Sequence, residues 1–438
     1  MPRSTALTLV ALLFAAPRPS SAARAHEPSL ARQLTTHAAA VDPKVVAWRR
    51  DIHQNPELSF QEVRTAQVVA AHLRGLGLEV RTGVGGHGVV GVLRGGRPGP
   101  VVALRADMDA LPVTEENDLP FRSRARTQVN GQEVGVMHAC GHDTHVAMLM
   151  GAAEVLAAVR ARLPGTVKFI FQPAEEASGT GAGGAVAMVR DGALDDPRPG
   201  AIFGLHAFAG YPVGQVGLRA GGLMASSDGL RIIVRGRQTH GAIPWGGVDP
   251  IVVASQVVLA LQTVVSRQVD LTTSPAIVTI GSIQGGVRGN IIPDSVVMIG
   301  TIRTFDERMR RQIHERVRRT AVSVADGAGA TAAVSIDLGN GVTLNDAALT
   351  ARMRPTLARV AGAGLVVARQ TTTSEDFSRF QEQVPGLFIF LGITPEGQDL
   401  TQVAQNHSPR FFVDERALPV GMRVLVGLAV DYLTGAAP

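Results

Sequence analysis

The chain has 438 residues, 45% hydrophobic and 18% charged, which excludes a disordered polypeptide and is long enough for about two domains. Lys and Arg total 42 against 37 Asp and Glu, with no block of basic residues and only 4% aromatics, so no nucleic-acid partner is expected. A single cysteine excludes any intrachain disulfide. Residues 1–25 read as a secretory signal peptide: Arg3 supplies the positive end and Ala6 to Ala16 an apolar run too short to span a bilayer. Ala23-Arg24-Ala25 forms an A-x-A site, so cleavage before His26 and a secreted or periplasmic location are expected, with a retained anchor as the alternative. No other stretch approaches 18 apolar residues, so no membrane span is expected after cleavage.

From Val41 the pattern predicts a helix from Pro43 to about Gln54, a turn at Asn55-Pro56, and a second helix from about Gln61 to Leu76 that stops at Gly75 and Gly77. Short apolar runs at Leu78 to Arg81, Val89 to Leu93 and Val101 to Leu104 read as strands. A long helix over Thr144 to Leu163, a strand over Val167 to Phe171, a helix over Gly184 to Arg190 and a strand over Ala201 to Leu205 follow. Alternating strands and helices argue for an α/β sheet covered on both faces.

After Gly221-Gly222 the character changes. Strands at Leu230 to Val234, Ile277 to Ile283, Ser295 to Ile302 and Thr331 to Ile336 alternate with helices at Pro250 to Arg267 and Asp306 to about Asp326. That βαββαβ order is a ferredoxin-like α+β plan. A helix (Asp346 to Val360), a strand (Leu387 to Leu391) and a final helix (Glu415 to Leu433) return to the first pattern. The expected layout is therefore a first catalytic part over residues 26–220, an inserted unit over 221–337 and a second catalytic part over 338–438.

The densest chemistry is Met137-His138-Ala139-Cys140-Gly141-His142-Asp143-Thr144-His145, just before the long helix. A thiolate and imidazoles this close can converge on one borderline cation, and the helix start favours the thiolate. A capped helix start with surface histidines is the bland alternative. Phe171-Gln172-Pro173-Ala174-Glu175-Glu176 places two carboxylates at a strand's carboxyl end, where open α/β sheets build their sites. One acid can neutralise a metal while the other takes a proton from water; alternatively the two form a solvated loop pair. Two more strands end similarly, in Arg105-Ala106-Asp107-Met108-Asp109 and in His206. Three strands delivering carboxylate or imidazole to one edge make a metal-binding rim. Asn406-His407-Ser408 offers a later ligand or a plain surface histidine. In the inserted unit, His240 sits on a Gly/Pro-rich turn and Asn290 on a second Gly-rich loop. Both can polarise a carbonyl or hold a substrate carboxylate, beyond what ordinary turn chemistry requires.

Arg50-Asp51-Ile52-His53-Gln54-Asn55-Pro56-Glu57, Leu104 to Pro112, the Cys140 cluster and Gln172 to Glu176 occur in one order. Together they resemble the amidohydrolase branch of the aminoacylase/carboxypeptidase metallopeptidase superfamily, which holds hippurate hydrolases, N-acyl-amino-acid amidohydrolases and plant auxin-conjugate hydrolases. The resemblance covers residues 42 to 435. It implies a two-metal site with Cys140, His142, Glu176, His206 and His407 as ligands, Cys140 bridging both ions. It implies Glu175 as general base toward the metal-activated water, His240 as a lid residue that stabilises the tetrahedral oxyanion, and Asn290 as a lid residue near the substrate carboxylate. Where much of the superfamily has His-x-Asp this chain has Arg105-Ala106-Asp107; arginine cannot ligate, so Asp107 and Asp109 are placed behind the ligands. Asn55 stands where many relatives have a histidine, in a turn expected to be structural.

The resulting expectation is an exported metal-dependent amidohydrolase that cleaves N-acyl amino acids, using two divalent ions (Mn or Zn first, Co or Ni also compatible with S, N and O ligands). A homodimer through the inserted domain follows from the same resemblance. The alternatives are a secreted carboxypeptidase or dipeptidase with the same site, and, from another class, a periplasmic binding protein.

Overall fold

The computed structural model describes Met1, residues 28–177 and residues 184–435; the expected signal peptide and its cleavage site lie outside the described residues. Its main sheet has eight strands in the order Glu79–Val84, Gly88–Arg94, Pro164–Gln172, Arg97–Asp107, Ala201–Pro212, Gly386–Thr394, Val216–Leu218, Leu365–Val367. The four central strands run parallel, so their carboxyl ends share one edge. Both faces are covered, as the burial of residues 165–172 and of Gly386–Thr394 requires. One face packs on helices Leu30–Gln54, His142–Ala158 and Ala417–Thr434, and the other on the short helices Gly184–Arg190 and Ser378–Gln381.

A second sheet of four antiparallel strands, Ala276–Gln284, Ser295–Thr304, Asp228–Arg235 and Thr331–Leu338, carries helices Pro250–Gln268 and Glu307–Gly327. It has its own apolar core, centred on Ile232, Val257, Leu261, Met298, Ile313 and Val317. Strands and helices follow the βαββαβ order read from the sequence.

Several boundaries differ from expectation. The first helix starts at Leu30 and runs through Pro43, capped by the Ser29 hydroxyl accepting from the Arg32 N–H at 3.3 Å. Burial of Ala38, Val41 and Val45 against the core outweighs the hydrogen bond that Pro43 cannot make. The long helix begins at His142 and ends at Ala158, followed by a short 3-10 turn at Arg160–Arg162. A hairpin, Arg126–Val129 with Gln132–Gly135, turns on Asn130-Gly131. Among the described residues two helices, Pro250–Gln268 and Ala417–Thr434, are long and apolar enough to cross a membrane, which the sequence pattern did not suggest. Ala417–Thr434 is mostly buried against the main sheet, and Pro250–Gln268 lays Val253, Val257, Leu261 and Val264 on the second.

Candidate metal centre and active site

Four segments far apart in sequence meet at the carboxyl edge of the main sheet. Cys140 lies in the turn before helix His142–Ala158, with Gly141 at φ +96°, a conformation that L side chains rarely adopt. A Cβ there would also come within 3.1 Å of the Ala207 Cβ, so glycine is what lets the turn sit against the neighbouring strand. Strand Ala201–Pro212 brings His206, whose Nε2 lies 3.4 Å from the Cys140 Sγ. The loop before the last helix brings His407, with Nε2 3.3 Å from the same sulfur and 3.2 Å from Glu176 Oε1. The segment after strand Pro164–Gln172 contributes Glu176 and Glu175.

Ring orientation is set from behind. His142 Nδ1 donates to the Asp109 carbonyl at 2.8 Å, and His206 Nδ1 to the Ala207 carbonyl at 2.8 Å. Each ring therefore turns an Nε2 lone pair into the site, the arrangement that metal-binding imidazoles adopt. His145 does not. Its Nε2 accepts the Ala207 N–H at 2.8 Å and its Nδ1 faces Asp107 Oδ1 at 2.5 Å, so both nitrogens are used. Asp107 also accepts from Arg105 Nη1 at 2.6 Å, and Asp109 accepts the backbone N–H groups of Glu175 (3.1 Å) and Glu176 (2.9 Å). Asp107 lies close enough to His142 and His145 to form a candidate ligand group with them, and Asp109 braces the backbone of the paired glutamates.

The donor set fits metal. Cys140, His142 and His206 place ligand atoms within 4.8 Å of one another, as do Cys140, Glu176 and His407, and His142, Glu175 and Glu176. Cys140 belongs to two of these groups, as a bridging thiolate would. Among the described residues His142 Nε2 is buried and makes no hydrogen bond, a site-facing nitrogen that a cation would satisfy, while Glu176 Oε1 has His407 Nε2 at 3.2 Å. Burial pushes Glu175 well above the usual carboxylate range, and the charges of Glu375, Glu176 and Asp376 push it further. Burial raises the Cys140 thiol too, with the Glu176 charge adding to it. His407 is pushed up to about 10 by its hydrogen bond to Cys140 and then by Glu176. Added positive charge would reverse the shifts of the acids.

Three further acidic or basic groups were not legible as site residues. Glu375 and Asp376, from a polar Thr-Ser-rich stretch, are buried beside Glu175; Glu375 is pushed up to about 8 and Asp376 to about 6, in both by burial, while Arg105 holds them down. Arg105, itself fully buried, meets Asp107, Asp376 (2.9 Å) and Glu375 (3.0 Å), with Nε donating to Gln172 at 2.8 Å. The signal was in the sequence: an arginine at the end of an apolar strand must be paired if it is buried.

Glu62 is the hidden support of the Glu175 loop. Its Oε1 accepts the Ala174 N–H at 2.7 Å, and Ala174 holds the left-handed φ of +52° that turns the two glutamates inward. Burial and the nearby Asp109 charge push Glu62 up to about 7. An acid whose pKa is raised on folding stabilises the protein at low pH, and that stability is lost as pH rises from about 4.5 through about 7. Glu62→Gln keeps the acceptor and removes the charge. In chelator-treated protein it is expected to match wild type near pH 5 and to exceed it near pH 8 by up to about 3 kcal/mol. Urea denaturation at the two pH values checks this, and equal differences at both would refute it.

A cavity of about 220 Å³ opens beside the cluster. Phe208, Met224 and Phe390 form its apolar wall, the two phenyl rings stacked at 4.6 Å, and Thr373, Ser374 and Glu375 line the other side. His240 and Asn290 are not brought to it. Strand Thr239–His240 pairs with Ile291–Ile292 and the Gly241 N–H donates to the Asn290 carbonyl at 2.8 Å, so the two residues are neighbours on an exposed tip of the second sheet's unit. Among the described residues no hydrogen bond or ion pair joins either to the cluster. His240 Nδ1 accepts the Ala242 N–H at 3.0 Å, which leaves its Nε2–H free to donate. Asn55 does cap a turn, its amide donating to the Asp51 carbonyl at 2.8 Å.

Comparison with known proteins settles the family. Residues 103–431 match the model of peptidase family M20/M25/M40. The chain belongs to that family. It is 38% identical over 405 residues to thermostable carboxypeptidase 2 of Saccharolobus solfataricus, covering 92% of this chain and 99% of the relative. It is also 38% identical over 400 residues to N-acetylcysteine deacetylase of Bacillus subtilis, covering 90% and 98%. Among solved structures, a dinuclear metal binding peptidase of the M20 family from Bacillus subtilis aligns with a TM-score of 0.76 at 35% identity, over 91% of this chain and all of that one. This M20 member is accordingly a metal-dependent hydrolase of amide bonds, on a central mixed sheet flanked by helices.

Proposed function

We propose that this M20 hydrolase releases a carboxylic acid and a free amino acid from N-acyl amino acids. The observation that carries this is the juxtaposition of Glu175, the Cys140-centred ligand groups and an apolar recess walled by Phe208, Met224 and Phe390. A recess with that wall suits an uncharged acyl group directly beside the groups that would attack its carbonyl. Cys140, His142, Glu176, His206 and His407 would hold two divalent ions, which supply charge to acidify water and to polarise the amide carbonyl. Glu175 takes the proton of the attacking water as the new C–O bond forms. It returns that proton to the nitrogen as the C–N bond breaks, so the leaving group departs as a neutral amine. Asp109, through the N–H groups of Glu175 and Glu176, fixes the loop that carries both acids.

His240 would donate its Nε2–H to the developing oxyanion, with Asn290 beside it on the substrate carboxylate. Reaching the site requires closure of the second sheet's unit or supply from a second copy. Exposed Trp245 and Val287 near His240 support a homodimer through this unit. Export, with cleavage after Ala25, is proposed on the character of residues 1–25.

Carboxypeptidase relatives favour a second reading, in which the same site cuts C-terminal residues from peptides. Amino-acid release from N-acetyl and N-benzoyl amino acids, measured beside free dipeptides with Mn or Zn and with a chelator, separates the two. Chelator-sensitive release from the acylated substrates is expected. Cleavage of dipeptides alone would establish the peptidase reading instead.

A further inference from the structure

We infer that Asn406 is a positioning residue that holds three ligand-bearing segments together through one side-chain amide. This rests on the metal centre proposed above. The Asn406 Nδ2 donates to the Cys140 carbonyl at 3.0 Å and to the Ala207 carbonyl at 3.0 Å, across sequence separations of 266 and 199 residues. Its Oδ1 accepts the Ala209 N–H at 3.3 Å. Two carbonyls on one side and one N–H on the other fix the amide's orientation and use every group it has on that face.

The three segments so joined are those of Cys140, of His206 and of His407. The Ala207 carbonyl held by Asn406 is the same one that receives His206 Nδ1–H. His206 Nδ1–H keeps that carbonyl when the amide is removed, so the His206 ring stays turned toward Cys140. His407, the residue after Asn406, has φ +72°, a left-handed backbone that histidine does not favour, and its side chain is 53% exposed. Besides the Asn406 amide, the His407 N–H to the Ala139 carbonyl at 2.8 Å and the His407 Nε2 beside the Cys140 Sγ at 3.3 Å tie this turn to the cysteine segment. Without the amide the strained turn relaxes outward and carries His407 away from Cys140 and Glu176. The His142 side of the cluster, oriented by Asp109, has no bond to Asn406 and should be unaffected.

The test is calorimetric titration of chelator-treated full-length protein with Mn(II), repeated with Zn(II). Wild type, His407→Ala, Asn406→Asp and Asn406→Ala are compared, with circular dichroism as the folding control. Asn406→Asp keeps the shape but turns an acceptor toward two carbonyls; Asn406→Ala removes the donors without adding repulsion and serves if the aspartate variant does not fold. His407→Ala identifies the binding step that belongs to His407. The Asn406 variants are expected to weaken that same step by about 10- to 100-fold and to leave the other unchanged. A folded Asn406→Ala protein with a wild-type isotherm would overturn the inference. Equal weakening of both steps would overturn it too, since that reports general damage. A wild-type protein that takes up no ion would overturn the metal centre itself, and the inference with it.

Discussion

Glu175→Gln is expected to lower turnover by about 10³- to 10⁴-fold while leaving metal content at the wild-type level. The reasons are separable in the structure. Glutamine keeps the size of the side chain and an oxygen to receive the Asp376 N–H, 3.4 Å away. It cannot accept a proton from water. Glu176 stays in its ligand group, because its backbone N–H remains on Asp109 and its neighbours Cys140 and His407 are untouched. Stability should hold or rise, since one of three crowded carboxylates is removed. Glu176→Gln is the contrasting control and should lose metal. Activity of Glu175→Gln within tenfold of wild type would remove Glu175 from its assigned role.

Arg105→Met should lower stability by about 3–5 kcal/mol. The guanidinium is fully buried and is shared by Asp107, Glu375 and Asp376. Methionine fills much of the volume but strands those carboxylates without their cation. The pairs cannot be credited with the same energy as net stabilisation, because desolvation offsets most of it; the loss comes from breaking one side only. Asp376→Asn in the Arg105→Met background should therefore recover part of the stability, by removing one of the orphaned charges. Urea denaturation of the single and double variants checks this, and a double variant no more stable than the single would refute it.

Local chemistry made much of the site legible. The His/Cys cluster, the paired glutamates and the strand-end residues are dense in sequence and announce a metal centre before any geometry is known. The second sheet was legible because each of its strands and helices is long and strongly patterned. What stayed hidden was relational. Glu375 and Asp376 lie in a Thr-Ser-Glu-Asp stretch that reads as solvated loop, and only the sheet's order brings them under Arg105. His145 looks like a ligand by spacing, yet its two nitrogens serve Asp107 and Ala207, a distinction set by ring orientation. Glu62 and Asn406 act through backbone groups more than a hundred residues away, and no spacing rule reaches that far. Pro43 misled in the opposite direction, since a residue that often starts a helix is here carried in the middle of one by packing.

The second sheet is joined to the rest through two adjacent strands. Asp228, at the first residue of one, is the register partner of Leu338, at the last residue of the other. The whole of residues 229–337 is thus a loop whose two ends touch; the main sheet takes no strand from it, and Cys140, His142, Glu176, His206 and His407 all lie outside it, although Ser226 N–H bonds the Thr304 carbonyl and Val342 N–H the Glu307 carboxylate. Replacing that loop by a short turn leaves a continuous chain with every strand of the main sheet in place. Such an excision would divide the enzyme's labour cleanly, keeping ion capture in the smaller protein and isolating in the removed part whatever His240 and Asn290 add to substrate choice and turnover.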